Sequence, residues 1–565
     1  MPTLFQSLAE LCEKLESTKK RNEMVRWVAE FVRGLESDEI ASATSMLLGR
    51  AFPRWDQRVL EVSWATLSKT IRSIANVDRT TYSYAFNKTG DAGDAVKIIL
   101  EQGKIRKQAT LFQERLTILE VQRTFETIAE SIGVGSKEKK ERLLKTLFGC
   151  ATPLEAKYIV KVLIGEMRTG FSEGLMELAV AQAFKVPLKA VRTASMLTGE
   201  LGEVAALAKA KGKEGLLKLG FTLFRPIKPM LAQMAASISE ALDEHEGLTA
   251  LEYKLDGARI QIHKLGDKVE IFSRRLTDVT SSFPEIANLV IAEVQAYKAI
   301  LEGEVIAVGE HGVPMAFQHL MRRFRRTHQI EQFAEEVPVK LYLFDALYVD
   351  GQSLVDEPYT ERRKKLGAIS GNIPLAKQIV AQNVGAGESF LKEAVEAGHE
   401  GLMAKKLDSL YTPGIRGKKW FKIKQILEPL DLVIVAAEYG TGRRHGWLSD
   451  YHLAARDNET GKLYIIGKTF KGLTDAEIAD MTYRLKALTI KEEKYKVLVA
   501  PQIVVEVAYN EIQKSPKYVC GMALRFARIT RVRDDKRVDE VDTLQKVQQI
   551  YESQFEKKSR PLGSG

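Results

Sequence analysis

A chain of 565 residues is too long for a single small module, and at roughly 100–200 residues per domain it predicts three or four domains. The 45% hydrophobic fraction excludes a disordered chain. With 84 Lys+Arg against 74 Asp+Glu the net charge is +10, a weak pull towards an anionic partner, since thermophile-type Lys/Glu enrichment also yields many charges of both signs. Cys12, Cys150 and Cys520 lie far apart with no Cys-x-x-Cys, which excludes a four-thiolate zinc site or a disulfide framework and points to a reducing, intracellular, cytoplasmic setting. The longest apolar runs, such as Leu432 to Ala437, are far short of the ~20 residues that span a bilayer, and the N-terminus carries charges within its first apolar stretch, so neither export nor a membrane partner is expected. The last residues, Lys-Lys-Ser-Arg-Pro-Leu-Gly-Ser-Gly, read as a flexible tail.

From the N-terminus to about Phe221, apolar residues recur at three- and four-residue spacing, as in Leu154, Tyr158, Ile159, Val162, Leu163 and Met167, and predict an all-helical region. Gly133 to Ser136 is a break followed by a helix start, and no fixed period marks a repeat. Phe-Arg-Pro-Ile-Lys-Pro-Met, 224–230, cannot continue a helix with two prolines in so short a span, and is the best linker in the chain. Beyond it, alternating runs at 251–256, 259–264 and 268–273 are interleaved with helical stretches, so the middle region is mixed α and β. A second break near Glu-Pro-Leu, 428–430, precedes strand-like runs at 431–437, 451–456, 462–467 and 502–508, which predict a small β-barrel followed by a helical tail at about 541–557. The expected division is 1–222, 223–428 and 429–565.

Two glycine patterns imitate nucleotide loops. Gly461 to Gly467 encloses five residues that read as a strand, where a phosphate loop has four in a loop. Gly-Thr-Gly-Arg-Arg-His-Gly, 440–446, is one residue too long for a dinucleotide fingerprint and leads into a strand, so it reads as a basic hairpin turn. The eight histidines lack paired metal spacing and read as surface or satisfied core residues.

The signal that carries chemistry is Glu-Tyr-Lys-Leu-Asp-Gly-Ala-Arg, 252–259. Its Lys-x-Asp-Gly-x-Arg core matches by chance with odds on the order of 1 in 100 over such a chain. It resembles the covalent nucleotidyltransferases, the superfamily of DNA ligases, RNA ligases and messenger-RNA capping enzymes, whose lysine takes a nucleoside monophosphate. The rest of that superfamily's motif set follows in order: Phe-Ser-Arg-Arg-Leu at 272–276, Leu-Glu-Gly-Glu-Val-Ile-Ala at 301–307, Leu-Tyr-Leu-Phe-Asp-Ala-Leu-Tyr at 341–348, Glu-Gly-Leu-Met-Ala-Lys at 400–405, Trp-Phe-Lys-Ile-Lys at 420–424, and Arg-Phe-Ala-Arg-Ile-Thr-Arg-Val-Arg-Asp-Asp-Lys at 525–536. Arg-Pro-Ile-Lys-Pro-Met-Leu-Ala before the lysine, Gly-Ile-Arg-Gly-Lys-Lys-Trp around Arg416 and Asn-Glu-Ile-Gln-Lys-Ser-Pro-Lys-Tyr before the last motif are similar to the ATP-dependent DNA ligases of archaea and eukaryotes. Two departures, Glu302 for a usual Asp and Ala527 for a common Pro, touch no position given a chemical role here.

The resemblance implies an all-α DNA-binding domain, an α/β (α+β) adenylation domain and an oligonucleotide-binding-fold (OB-fold) barrel, acting as a monomer on nicked duplex DNA in replication, repair and recombination in a prokaryotic, archaeal-type cell. It implies Lys254 as the nucleophile towards ATP. The nucleotide contacts would be Glu252, Arg259, Arg274, Glu304, Phe344 as the adenine-stacking face, Arg416, Lys422 and Lys424. The residue types suit the task. Lysine loses its proton readily near other cations, arginine does not, and charge building on phosphate oxygens calls for cations and a divalent metal such as Mg²⁺, for which Glu304 and Glu400 are suited carboxylates. Arg533, Asp535 and Lys536 would close over the nucleotide. Gln108, Leu111 and Phe112 stand where related archaeal ligases dock on a sliding clamp; the alternative is that Leu111 and Phe112 are core. An RNA ligase or capping-type enzyme, or a non-catalytic nucleic-acid clamp carrying relic motifs, are the rival readings. The long helical N-terminal region speaks against the first, and the intact Lys254, Glu304, Glu400, Lys422 and Lys424 against the second.

Overall fold

The computed structural model describes residues 2–102, 115–309, 312–315, 317–324, 336–414, 416–424, 427–493 and 495–559; Gln108, Leu111 and Phe112 lie outside them. Among the described residues, twelve helices run from Phe5–Ser17 to Leu201–Leu217 with no strand between them. Their starts are written in the sequence. Thr152 caps the helix Pro153–Ile164 by accepting from the Glu155 backbone N–H while Glu155 reaches back to Thr152, with Pro153 in the first turn, and Gly165 ends it in the left-handed region. Met167, expected on the same helical face, falls beyond this stop and is buried in the following loop instead. Lys157 and Lys161 point inward from that helix. They are buried but paired, Lys157 with Glu13, Glu16 and Asp94 at 2.7–2.8 Å and Lys161 with Glu16 at 2.6 Å and Asp91 at 3.2 Å, which is the condition on which a buried ammonium is tolerated.

The proline-broken segment 224–230 is a strap laid on the next region. Ile227 and Met230 are fully buried. The Phe224 N–H donates to His263 Nδ1 at 2.9 Å, and the Ile227 N–H and C=O pair with the Gln261 side-chain amide at 2.8 and 3.2 Å. The prolines forbid a helix, and the two apolar residues give the extended chain a reason to adhere.

The middle region holds two five-stranded sheets built from β1 (Leu231–Met234), β2 (Thr249–Lys254), β3 (Ala258–Leu265), β4 (Lys268–Ser273), β5 (Lys298–Ala307), β6 (Val339–Val349), β7 (Gln352–Ser353), β8 (Gln378–Ala381), β9 (Gly401–Lys406) and β10 (Arg416–Lys424). One sheet has the order β1-β10-β9-β2-β8 and the other β4-β3-β5-β6-β7, with helices such as Pro284–Glu293 and Val384–Glu396 packed on them. The strand runs expected at 251–256, 259–264 and 268–273 are the cores of β2, β3 and β4.

After Leu430 come β11 (Leu430–Tyr439), β12 (Leu448–Arg456), β13 (Leu463–Thr469), β14 (Thr489–Glu493), β15 (Lys496–Val499), β16 (Val504–Ala508), β17 (Glu511–Lys514), β18 (Met522–Arg525) and β19 (Arg528–Val532). They form a seven-stranded sheet, β13-β12-β11-β15-β14 with β16 joining β11 to β19, plus the hairpin β17–β18. Of the small barrel expected from the sequence the strands are present, and among the described residues their pairs do not close into a ring. β14, exposed along its whole length, stays at an edge. Both glycine decoys have the structures their spacing argued for: 463–469 is β13, and 440–446 is the turn between β11 and β12, containing a single turn of 3₁₀ helix. That turn meets the helical region, where His445 Nε2 lies 2.6 Å from the Asn87 carbonyl. A tail helix, Leu544–Ser559, ends the described chain.

Candidate active site

Strand register assembles the site. Lys254, the last residue of β2, lies opposite Gly401 of β9, and Lys424, the last of β10, lies opposite the same glycine, so both lysines come to either side of the start of β9. Glu400 precedes it, its backbone N–H donating to the Lys254 carbonyl at 3.0 Å. Gly401 has φ +141°, and a Cβ there would sit 2.2 Å from the Ile423 carbonyl, so no other residue permits this three-strand approach. The turn from Leu255 to Gly257 then joins the two sheets. A Cβ on Gly257 would meet the Val305 carbonyl at 2.3 Å, which accounts for the glycine of the Lys-x-Asp-Gly core.

Between the sheets lies a cleft of about 720 Å³, open mouth included, lined among others by Glu252, Lys254, Arg259, Arg274, Glu304, Phe344, Lys405, Trp420 and Lys422. Seven of these were expected from the sequence. Lys254 and Lys424 both pair with Glu400, the latter at 2.9 Å. Burial tends to raise the Glu400 carboxyl, but the two ammonium groups outweigh it and hold the acid at about 2. Glu304 goes the other way: burial pushes it up to about 7, against the pull of Lys254 and Arg259 and with the push of Glu400 and Asp256. Burial, then the charges of Lys254, Arg274, Arg416 and Lys424, bring Lys422 down to about 8. Arg416 stands on the exposed start of β10, outside the lining, and acts on the site through its charge.

Because Glu304 binds its proton more tightly in the folded chain, its contribution to stability is present in full below the ordinary value of 4.5 and is lost as pH rises through about 7. Glu304→Gln, a mimic of the neutral acid, is therefore expected to melt a few degrees above the parent at pH 8, with the gap narrowing towards pH 5. A gap that stays constant over that range would refute the upward shift of the Glu304 pKa.

Other expected contacts are more deeply engaged than the sequence suggested. Glu252 is buried, taking Lys405 Nζ at 2.5 Å, the Tyr359 hydroxyl, and Arg363 and Gln378 at 3.3 and 3.2 Å. Arg259 donates to the Met230 carbonyl and to Glu302, both at 2.7 Å. Burial works against its charge, and Glu302 more than restores it. Contrary to the expectation that the Glu302 departure touches no position with a chemical role, Glu302 is the ionic partner of Arg259. Phe344 lines the cleft with the Arg259 guanidinium 5.3 Å and the Lys405 ammonium 4.7 Å from its ring centre. Lys405 itself was not singled out from the sequence. Its ammonium lies 4.6–4.8 Å from the ring centres of Phe344, Tyr359 and Trp420, and burial lowers its pKa against the pull of Glu252. Only its position as the last residue of Glu-Gly-Leu-Met-Ala-Lys signalled it.

Arg533, Asp535 and Lys536 are gathered elsewhere. Arg533 and Lys536 pair with Asp431 of β11 at 3.0 and 2.6 Å, and Arg533 with Asp535 at 2.7 Å, the three lying in the turn that follows β19 and not among the cleft lining.

The cleft thus brings one lysine amine together with Arg259, Arg274, Lys405 and Lys422 between two sheets, and comparison with known proteins gives the family. Residues 4–180 match the DNA ligase N terminus, 229–424 the ATP dependent DNA ligase domain, and 444–536 the ATP dependent DNA ligase C terminal region. The chain is 44% identical over 550 residues to the DNA ligase of Thermococcus fumicolans, covering 97% of this chain and 98% of that one. It is 46% identical over 555 residues to DNA ligase 1 of Korarchaeum cryptofilum, covering 98% and 99%. In fold it is similar to the solved structure Pmar-Lig_PreS3, with a TM-score of 0.58 at 19% identity over 93% of this chain and 99% of that one. The chain belongs to the ATP-dependent DNA ligases.

Proposed function

We propose that this ligase seals nicks bearing a 5′-phosphate and a 3′-hydroxyl in duplex DNA, in replication, repair and recombination, through an adenylate carried on Lys254. The observation that carries the reading is the placement of Lys254 at the cleft with Lys422, Lys424 and Arg274 around it. In the first step Lys254 Nζ, having lost a proton, attacks the α-phosphorus of ATP; the N–P bond forms as the P–O bond to pyrophosphate breaks. In the second, the DNA 5′-phosphate oxygen takes the adenylyl group and returns the lysine. In the third, the 3′-hydroxyl attacks the activated 5′-phosphate and AMP leaves. Lys422, Lys424, Arg274 and Arg416 supply positive charge where phosphate oxygens gain negative charge, Phe344 offers the base a face, and Glu252 and Arg259 contact base and sugar.

Among the described residues no three His, Cys, Asp or Glu side chains form a metal cage. Mg²⁺ needs none, being held by one or two carboxylates together with substrate phosphates and water. Glu304 and Glu400 fit that donor set, and the raised pKa of Glu304 marks a desolvated carboxylate whose charge a cation would relieve. When bound, such an ion neutralises phosphate charge.

The domain division we propose is 1–222 for DNA binding, 223–428 for adenylation and 429–565 for the OB-fold, supported by separate cores in the helical region and around β11 to β16. An OB-fold is a partly open five-stranded barrel, which an edge such as β14 does not contradict. Arg533, Asp535 and Lys536 would face the nucleotide only after this region swings over the cleft. A monomer, a cytoplasmic setting and a sliding-clamp contact through Gln108, Leu111 and Phe112 belong to the same reading; no described helix is long and apolar enough to cross a membrane.

Incubation with α-labelled ATP, then with nicked DNA and nicked RNA, tests it. Label is expected on the protein, to be lost on addition of nicked DNA as sealed product appears. A chain that takes no label, or that seals only the RNA, overturns the reading.

A further inference from the structure

The loop between the helices Ile40–Leu47 and Trp64–Ala75 is fastened at several points. Arg54 pairs with Glu173 at 2.6 Å, and Glu173 also pairs with Lys228 of the strap. Trp55 Nε1 donates to Glu203 at 2.9 Å, and Arg225, bonded to the same carboxylate at 2.7 Å, lies 4.5 Å over the indole. From this anchored loop the Gln57 side chain reaches the turn that follows β4. Its Nε2 donates to the Leu276 carbonyl at 3.1 Å and its Oε1 accepts from the Asp278 N–H at 3.0 Å.

That turn carries Arg274 into the cleft. It is closed by the Leu276 N–H on the Ser273 carbonyl at 2.8 Å, and Leu276 stands at φ +65°, a left-handed conformation that a branched residue holds only under outside constraint. Leu276 is itself buried, and the two backbone groups its conformation turns outward, its own carbonyl and the Asp278 N–H, are the ones Gln57 takes.

We propose that Gln57 is a positioning residue for nucleotide binding: the helical region sets the backbone from which Arg274 meets the nucleotide. The inference rests on the reading of Arg274 as a nucleotide contact. Without the Gln57 amide the turn has other conformations open to it, and ordering Arg274 then falls to the nucleotide, weakening ATP without altering the attack by Lys254.

The test uses the full chain and the self-adenylation step, with Gln57→Ala, Arg274→Ala and the double variant. Gln57→Ala is expected to raise KM for ATP roughly three- to tenfold, the loss of about one net hydrogen bond, with kcat within about twofold and the melting temperature unchanged. In the Arg274→Ala background the same change should raise KM by less than about 1.5-fold, since the two act as one unit. An unchanged KM in Gln57→Ala, or the same increase in both backgrounds, overturns the proposal while leaving Arg274 in place. An unchanged KM in Arg274→Ala removes Arg274 as a nucleotide contact and the proposal with it.

Discussion

Lys254→Arg is expected to fold, melt within a few degrees of the parent, and take no detectable label from α-labelled ATP. The guanidinium keeps the positive charge that Glu400 answers in the folded protein, so the ion pair at the start of β9 is preserved in kind. What it cannot keep is chemistry: an arginine does not surrender its proton near neutral pH, and a protonated nitrogen has no electron pair for phosphorus. Lys254→Ala should be equally silent. There Glu400 retains Lys424 at 2.9 Å, so removal of the ammonium leaves no bare carboxylate and no reason to unfold. Label on either variant would show that another residue carries the adenylate.

Asp345→Ala is expected to be the most damaging single change to the fold of the middle region. Asp345 and Arg362 are fully buried against each other, with Arg362 Nε and Nη2 donating to the carboxylate at 2.8 and 3.0 Å and Nη1 to the Glu357 and Ser409 carbonyls at 2.8 Å. Removing the acid leaves a guanidinium in a low-dielectric interior, at a cost of roughly 3–5 kcal/mol. The transition of this region should fall by on the order of 10 °C, and a second change, Arg362→Met, should recover part of the loss because a neutral pair has nothing to desolvate. If Asp345→Ala melts like the parent, or if the double variant is no better than the single, the pair is not the keystone its burial indicates.

What was legible in the sequence was local. The Pro226–Pro229 break and the alternation through β2, β3 and β4 each depend on neighbours a few residues away, and each is found where expected. The order of motifs also carried Lys254, Glu304, Phe344 and Lys422 to one cleft. What was not legible depends on partners remote in the chain. Nothing near Glu302 announces Arg259, and nothing near Lys405 announces Glu252 and three aromatic faces. Met167 kept the helical spacing, but Gly165 had already ended the helix. The barrel expectation read the strands; how they close was not legible, because closure is decided by which edges find each other, and the exposed Thr489–Glu493 strand has β15 as its one neighbour among the described residues.

The strap at 224–230 decides where this chain can be shortened. Ile227 and Met230 are interior residues of the catalytic region, and Phe224 and Ile227 supply the backbone partners of His263 and Gln261. A catalytic piece beginning at 231 would leave His263 Nδ1 and the Gln261 amide N–H without their backbone partners, and a furrow open to water where two large side chains had lain. One beginning at or before 223 carries its own seal.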